Sequence, residues 1–130
     1  MATVALTLDD FEKTILEGGT VFVDFWAAWC GPCLQFAPNY EAASEANPDM
    51  TFAKVDTEAQ QQLATAMNIT SIPTIMAFKD GIGVFAQAGA LPRPVLDDLV
   101  SLVRELDMNQ VRADLARREA EAAEAAEPTA

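Results

Sequence analysis

Apolar residues along this chain follow two alternating rhythms. Phe11, Ile15 and Leu16 recur at helical spacing behind Thr7, an N-cap candidate, and Asp9 and Asp10 stand in the first turn where carboxylates suit the helix dipole. Gly18-Gly19 stops that helix, and Thr3 to Leu6 ahead of it reads as a short strand. Val21 to Phe25 is apolar on both alternating sets, which predicts a central strand covered on both faces. A helix follows from about Cys33 to Ala46, kinked by Pro38 and ended by Asn47-Pro48. Thr51 to Asp56 reads as a strand, and Glu58 to Met67 as a helix closed by a left-handed Asn68. Thr74 to Lys79 and Val84 to Ala88 read as two strands joined by an Asp80-Gly81 hairpin turn. Pro94 to Leu106 closes the pattern as an amphipathic helix with Leu96, Leu99, Val100, Val103 and Leu106 on one face.

Strand–helix alternation that ends in a hairpin predicts an α/β domain with a mixed sheet and helices on both faces. That domain should occupy residues 1–107. From Met108 onward only Val111 and Leu115 are large and apolar, and the rest is mostly Ala and Glu. Residues 108–130 therefore read as an acidic tail, either a frayed extension of the last helix or disordered.

The chain's 130 residues suffice for one core and are too few for two ordinary domains. A formal net charge of −12 argues against nucleic acid and anionic membranes as partners, because phosphate binding needs a basic surface. No apolar run approaches a membrane span, and Met1 to Val4 lacks the basic start of a secretory signal. With only two cysteines there is no disulfide framework, so a reducing cytoplasm is the expected compartment. A monomer is the expected state. The absence of histidine removes imidazole metal ligands and His-based triads.

Both cysteines lie in Trp29-Cys30-Gly31-Pro32-Cys33, directly after the central strand. Two thiols separated by two residues can bridge to each other, but so short a loop removes little freedom from the unfolded chain. Such a bridge is better suited to forming and breaking than to stapling a fold. A zinc or iron–sulfur site would need two further ligands, hence a second chain, so no metal is expected.

Val23-Asp24-Phe25-Trp26-Ala27-Ala28-Trp29-Cys30-Gly31-Pro32-Cys33 resembles the active-site signature of the thioredoxin family. Pro38, Lys54-Val55-Asp56, Ile72-Pro73-Thr74, Phe78-Lys79-Asp80-Gly81 and Gly89-Ala90-Leu91 follow in the family's order, so the resemblance runs from about Val4 to Leu106. It implies a thioredoxin fold, a mixed sheet of about five strands flanked by about four helices. It also implies a protein-disulfide reductase with no bound cofactor, acting on disulfide-containing client proteins. Its electrons would come from NADPH through a separate thioredoxin reductase, since no dinucleotide fingerprint occurs in the chain. Leu34 and Ile82 depart from the family by making the neighbourhood more apolar. The alternative is a thioredoxin-fold adaptor whose tail recruits a partner.

Within that frame Cys30 is the exposed, attacking thiol at a helix N-terminus, where the dipole favours a thiolate by about 0.3–2 kcal/mol. Cys33 is the shielded, resolving thiol. Asp24 lies in an otherwise apolar strand, where desolvation should raise its carboxyl pKa. The resemblance casts it as acceptor of the Cys33 proton, with Lys54 at the matching position on the next strand able to pair with it and limit that rise. It makes Pro73 cis, and places Trp29, Gly31, Pro32, Ile72, Pro73 and Gly89 in a flat apolar substrate-binding patch around Cys30. Trp26 is expected to pack under the loop. Gly31-Pro32 without histidine marks a reductant.

Overall fold

Val21, Phe22, Val23 and Phe25 have no exposed surface, so the strand β2 (Thr20–Trp26) is covered on both faces as its unbroken apolar run demands. The structure is a computed structural model and describes residues 2–126. Around β2 stand β1 (Val4–Ala5), α1 (Leu8–Glu17), α2 (Gly31–Ala46), β3 (Thr51–Asp56), α3 (Gln61–Ala66), β4 (Thr74–Lys79), β5 (Ile82–Ala88), α4 (Arg93–Glu105) and α5 (Met108–Ala126). The five strands form one sheet in the order β1-β3-β2-β4-β5. β1, β3 and β2 run parallel, and β4 and β5 are antiparallel to their neighbours.

Alternation along β2 sorts its side chains to two cores. Phe22 joins Phe36 and Tyr40 of α2 and Leu96 and Val103 of α4 on one face. Val21, Val23 and Phe25 meet Phe11 and Ile15 of α1 and Leu63 of α3 on the other. Asp24 falls in the Phe22 set and therefore faces the α2 side. Register pairs Asp24 with Lys54 of β3 and with Ile75 of β4.

Local chemistry accounts for the element ends. The Asp10 carboxylate accepts the Thr7 N–H at 2.6 Å, closing the first turn of α1. Asn68, Asp80 and Gly81 have φ of 58°, 54° and 78°, the left-handed values expected at a helix end and a tight hairpin. α2 runs on through Pro38, which has no N–H to offer the Leu34 carbonyl.

Several boundaries differ from expectation. β1 has two residues, and α2 starts two residues early because Pro32 suits a first helical turn. α3 is shorter than Glu58 to Met67, because the Asp56 carboxylate takes the N–H groups of Glu58 and Ala59 and holds residues 57–59 in a turn. β5 begins at Ile82, with a register irregularity opposite Ala77 and Phe78.

The largest difference lies after Leu106. Residues 108–126 form a fifth helix, separate from α4, where a frayed extension or disorder was expected, and residues 127–130 lie outside the described residues. The separation has a cause. Lys79 Nζ donates to the carbonyls of Val103 at 2.8 Å, Arg104 at 2.9 Å and Leu106 at 3.3 Å, closing the α4 C-terminus. Asp107 Oδ1 then accepts the N–H groups of Asn109 and Gln110 and opens α5. Met108 is buried, and Arg112 pairs with Asp80 at 3.0 Å, so α5 is tied to the hairpin turn.

Replacing Lys79 by Met keeps the aliphatic stem and removes the donor. Lys79→Met is expected to lower the unfolding free energy by about 1–2 kcal/mol in urea titrations. An unchanged midpoint would show that water satisfies the same carbonyls equally well.

Candidate active site

The chain leaves β2 at Trp26, turns through Ala27 and Ala28, and enters α2 with Cys30 as the N-cap residue. Cys30 has φ −91° and ψ 109°, the extended backbone an N-cap requires, and Pro32 occupies the first turn. Cys30 and Cys33 form a disulfide with their Cα atoms 5.3 Å apart. The Cys33 N–H donates to Cys30 Sγ at 3.2 Å, and the Leu34 N–H donates to the Cys30 carbonyl at 3.1 Å. A helix N-terminus with a free N–H aimed at sulfur is a site for negative charge.

Exposure corrects one expectation. Cys30 is 5% exposed and Cys33 1%, so both are buried and only an edge of Cys30 reaches the surface. The cause is packing. Ala27, Trp26 and Ile72 close around the pair, and Cys30 Sγ lies 3.9 Å from the Ile72 carbonyl oxygen. The surface reaches sulfur through an open groove of about 480 Å³ along which Cys30 lies.

That groove replaces the flat patch expected. Trp29, Gly31, Pro32 and Ile72 line it, and Pro73 and Gly89 are not among its lining residues. The Ile72–Pro73 peptide is cis, and the Pro73 carbonyl accepts the Gly89 N–H at 2.8 Å. Thr57, Ala64, Ile69, Thr70 and Ser71 complete the walls. Sequence reading missed these five, and also Glu58, whose Oε1 accepts the Trp29 indole N–H at 2.8 Å. No periodicity marks them. The one available signal was position, since Thr70-Ser71 directly precedes Ile72-Pro73. Leu34 is 52% exposed on the first turn of α2, and Ile82 lies distant at the far end of β5.

Asp24 shows no exposed surface, and neither carboxylate oxygen has a hydrogen-bond partner. Burial pushes its pKa up to about 7, and the positive charge of Lys54 opposes the rise. The ion pair expected between them is not formed. Among the described residues no salt bridge joins Lys54 to Asp24, and Lys54 Nζ lies 4.6 Å from the Trp26 ring centroid. Facing residues on parallel strands set the two backbones side by side, but the long lysine stem carries its charge outward over the indole. Trp26 thus packs against the cysteines on one side and carries a cation on the other. Among the described residues no three Cys, Asp or Glu cluster as a metal site, and no helix is long and apolar enough to cross a membrane.

Comparison with known proteins bears on both the fold and this site. The family described as Thioredoxin matches residues 2–105. The chain is 52% identical to the putative thioredoxin 2 of Streptomyces coelicolor over 121 residues, 93% of this chain and 90% of that one. A match of that length leaves few residues outside it, so it runs well into α5. Among solved structures, Plasmodium falciparum thioredoxin superposes with a TM-score of 0.71 at 36% identity, covering 75% of this chain and 96% of its own. A chain from a structure on thiol resolution in yeast mitochondrial 1-Cys peroxiredoxin via the glutathione/thioredoxin systems gives a TM-score of 0.71 at 29% identity, covering 77% and 95%.

The raised Asp24 pKa has a stability consequence. The folded state keeps this proton to about pH 7, whereas the unfolded chain releases it near 3.8. Between those values the native state binds more protons, so Asp24 costs stability progressively as pH rises through that window. Asp24→Asn is expected to gain on the parent between pH 4 and pH 8 by up to about 4 kcal/mol in paired urea titrations. A pH-independent difference between the two proteins would contradict the assignment.

Proposed function

The chain belongs to the thioredoxin family, and from that premise we propose how its residues divide the work of a protein-disulfide reductase. As a thiol–disulfide oxidoreductase it carries its chemistry in the Cys30–Cys33 pair. In the reduced protein the Cys30 thiolate attacks one sulfur of a client disulfide, and the client's other sulfur leaves as a thiolate. Cys33 then attacks Cys30 Sγ, displaces the second client sulfur and closes the Cys30–Cys33 bridge. Two electrons and two protons pass to the client in all.

The observation that carries this reading is Cys30 at the N-cap of α2, with the Cys33 N–H on its sulfur and an open groove beside it. Asp24 is the acceptor of the Cys33 proton, a role favoured by its place on the α2 side of β2 and a pKa of about 7. Lys54 tempers that pKa without pairing. Trp29, Gly31, Pro32 and Ile72 receive the client segment, while Pro73 and Gly89 hold the Ile72 backbone. The oxidised pair is returned to the dithiol by a thioredoxin reductase drawing on NADPH, and the protein works as a cytoplasmic monomer on many disulfide clients. Gly31-Pro32 without histidine supports a reducing poise.

Insulin-disulfide reduction with NADPH and a thioredoxin reductase tests the scheme. Cys30→Ser is expected to reduce turnover to the uncatalysed rate. Cys33→Ser is expected to accumulate mixed disulfides with client proteins, resolved on non-reducing gels, and an extract that yields none would sink the two-step scheme. Asp24→Asn is expected to slow the resolving step by roughly ten-fold, about 1.4 kcal/mol of barrier, and to flatten its pH profile between pH 6 and 9. A wild-type profile in that variant would remove Asp24 from the mechanism.

A further inference from the structure

The groove beside Cys30 is lined by residues that carry no formal charge. One carboxylate is fastened to its rim. Glu58 Oε1 accepts the indole N–H of Trp29 at 2.8 Å, and Trp29 is both the neighbour of Cys30 in the chain and a wall of the groove. The Glu58 backbone is anchored in turn, because its N–H donates to Asp56 Oδ1 at 2.9 Å. Only one Glu58 oxygen is used by Trp29. The other is free, and Trp29 is 69% exposed, so a ring face is open next to it.

Positive charge is scarce at this end of the sheet. Lys54 Nζ is turned over Trp26 and lines a different cavity. Arg93, which follows the loop after β5, is paired with Asp97 at 2.9 Å. The position after Cys33 is Leu34, and the whole chain carries −12. A client segment laid along the groove therefore meets an apolar floor, one indole face and one free carboxylate oxygen.

We propose that this groove selects disulfides with a lysine or arginine within about two residues of the attacked cysteine, and that Glu58 together with Trp29 sets that preference. The inference deepens the disulfide-reductase reading and rests on it. An extended client advances about 3.3 Å per residue, so a cation one or two positions from the cysteine reaches the Trp29–Glu58 pair. There it finds a ring face and a carboxylate together, two complementary attractions for one cation. A charge pair about 6 Å apart in water changes a rate by roughly three-fold. The net charge of the chain adds a longer-range pull on cationic clients and repels acidic ones. Both effects fade in salt.

The test uses two synthetic cyclic peptides, each closed by one internal disulfide and differing only in Lys or Glu beside the cysteines. The full chain, reduced beforehand, is mixed with each, and thiol release is followed under single-turnover conditions. At about 20 mM salt the Lys peptide is expected to react roughly ten-fold faster, and at about 0.5 M the ratio should fall toward one. Glu58→Gln keeps an acceptor for the indole N–H and removes the charge, so it should slow the Lys peptide at low salt by roughly three-fold and lower the ratio. Equal rates at low salt, or a ratio that Glu58→Gln leaves intact, overturns the assignment while leaving the reductase reading in place. Failure to reduce either peptide overturns that reading and the inference with it.

Discussion

Cover on both faces of β2 is the constraint from which the rest of this molecule follows. A strand with Val21, Phe22, Val23 and Phe25 fully buried must have helices above and below, and α1, α2, α3 and α4 supply them. The same cover makes Asp24 a buried acid. Its neighbours on that face are aromatic and aliphatic, and no donor reaches its oxygens. Desolvation then outweighs the attraction of Lys54, which has swung over Trp26. A carboxyl that titrates near neutrality is thus a by-product of strand burial, and the chemistry proposed for Asp24 exploits it.

The end of β2 delivers the chain to the N-terminus of α2, and backbone chemistry decides what happens there. Gly31 and Pro32 can both begin a helix, so the residue before them becomes the N-cap, and that residue is Cys30. Helix N-termini leave N–H groups unpartnered, and the Cys33 N–H finds Cys30 Sγ. A polarising environment for sulfur therefore arises from the helix start itself. The loop at Ile72–Pro73 contributes the opposite wall from a part of the chain forty residues away. The groove exists only because β4 lies beside β2.

Much of this was legible in the residues. β2 declared itself by apolar residues on both alternating sets, α1 by Thr7 and the 3.6 period, and the β4–β5 hairpin by Asp80-Gly81. The redox pair was legible from spacing alone. The ends of α3 and α5, set by side-chain hydrogen bonds to Asp56 and Asp107, were not legible. α3 lost its first turn to the Asp56 carboxylate, a competition between side chain and backbone that periodicity cannot register. α5 was misread for a related reason. Its anchors are Met108, an Asp80–Arg112 ion pair and the Lys79 cap on α4, each a meeting of residues far apart in the chain.

Residue order settled the element types, the mixed sheet, the paired thiols and the burial of Asp24, because each follows from local pattern or a short interval. Folding in three dimensions decided the quantities that depend on who stands opposite whom. Cys30 is nearly enclosed because Ile72 closes over it, and Lys54 leaves Asp24 unpaired because Trp26 offers its ring. Glu58 comes to the rim of the groove because Trp29 reaches out to it. Patterns of period 2 and 3.6 report which face of an element is buried. They carry no information about the direction a long side chain takes once its backbone is placed, and direction is what shapes this site.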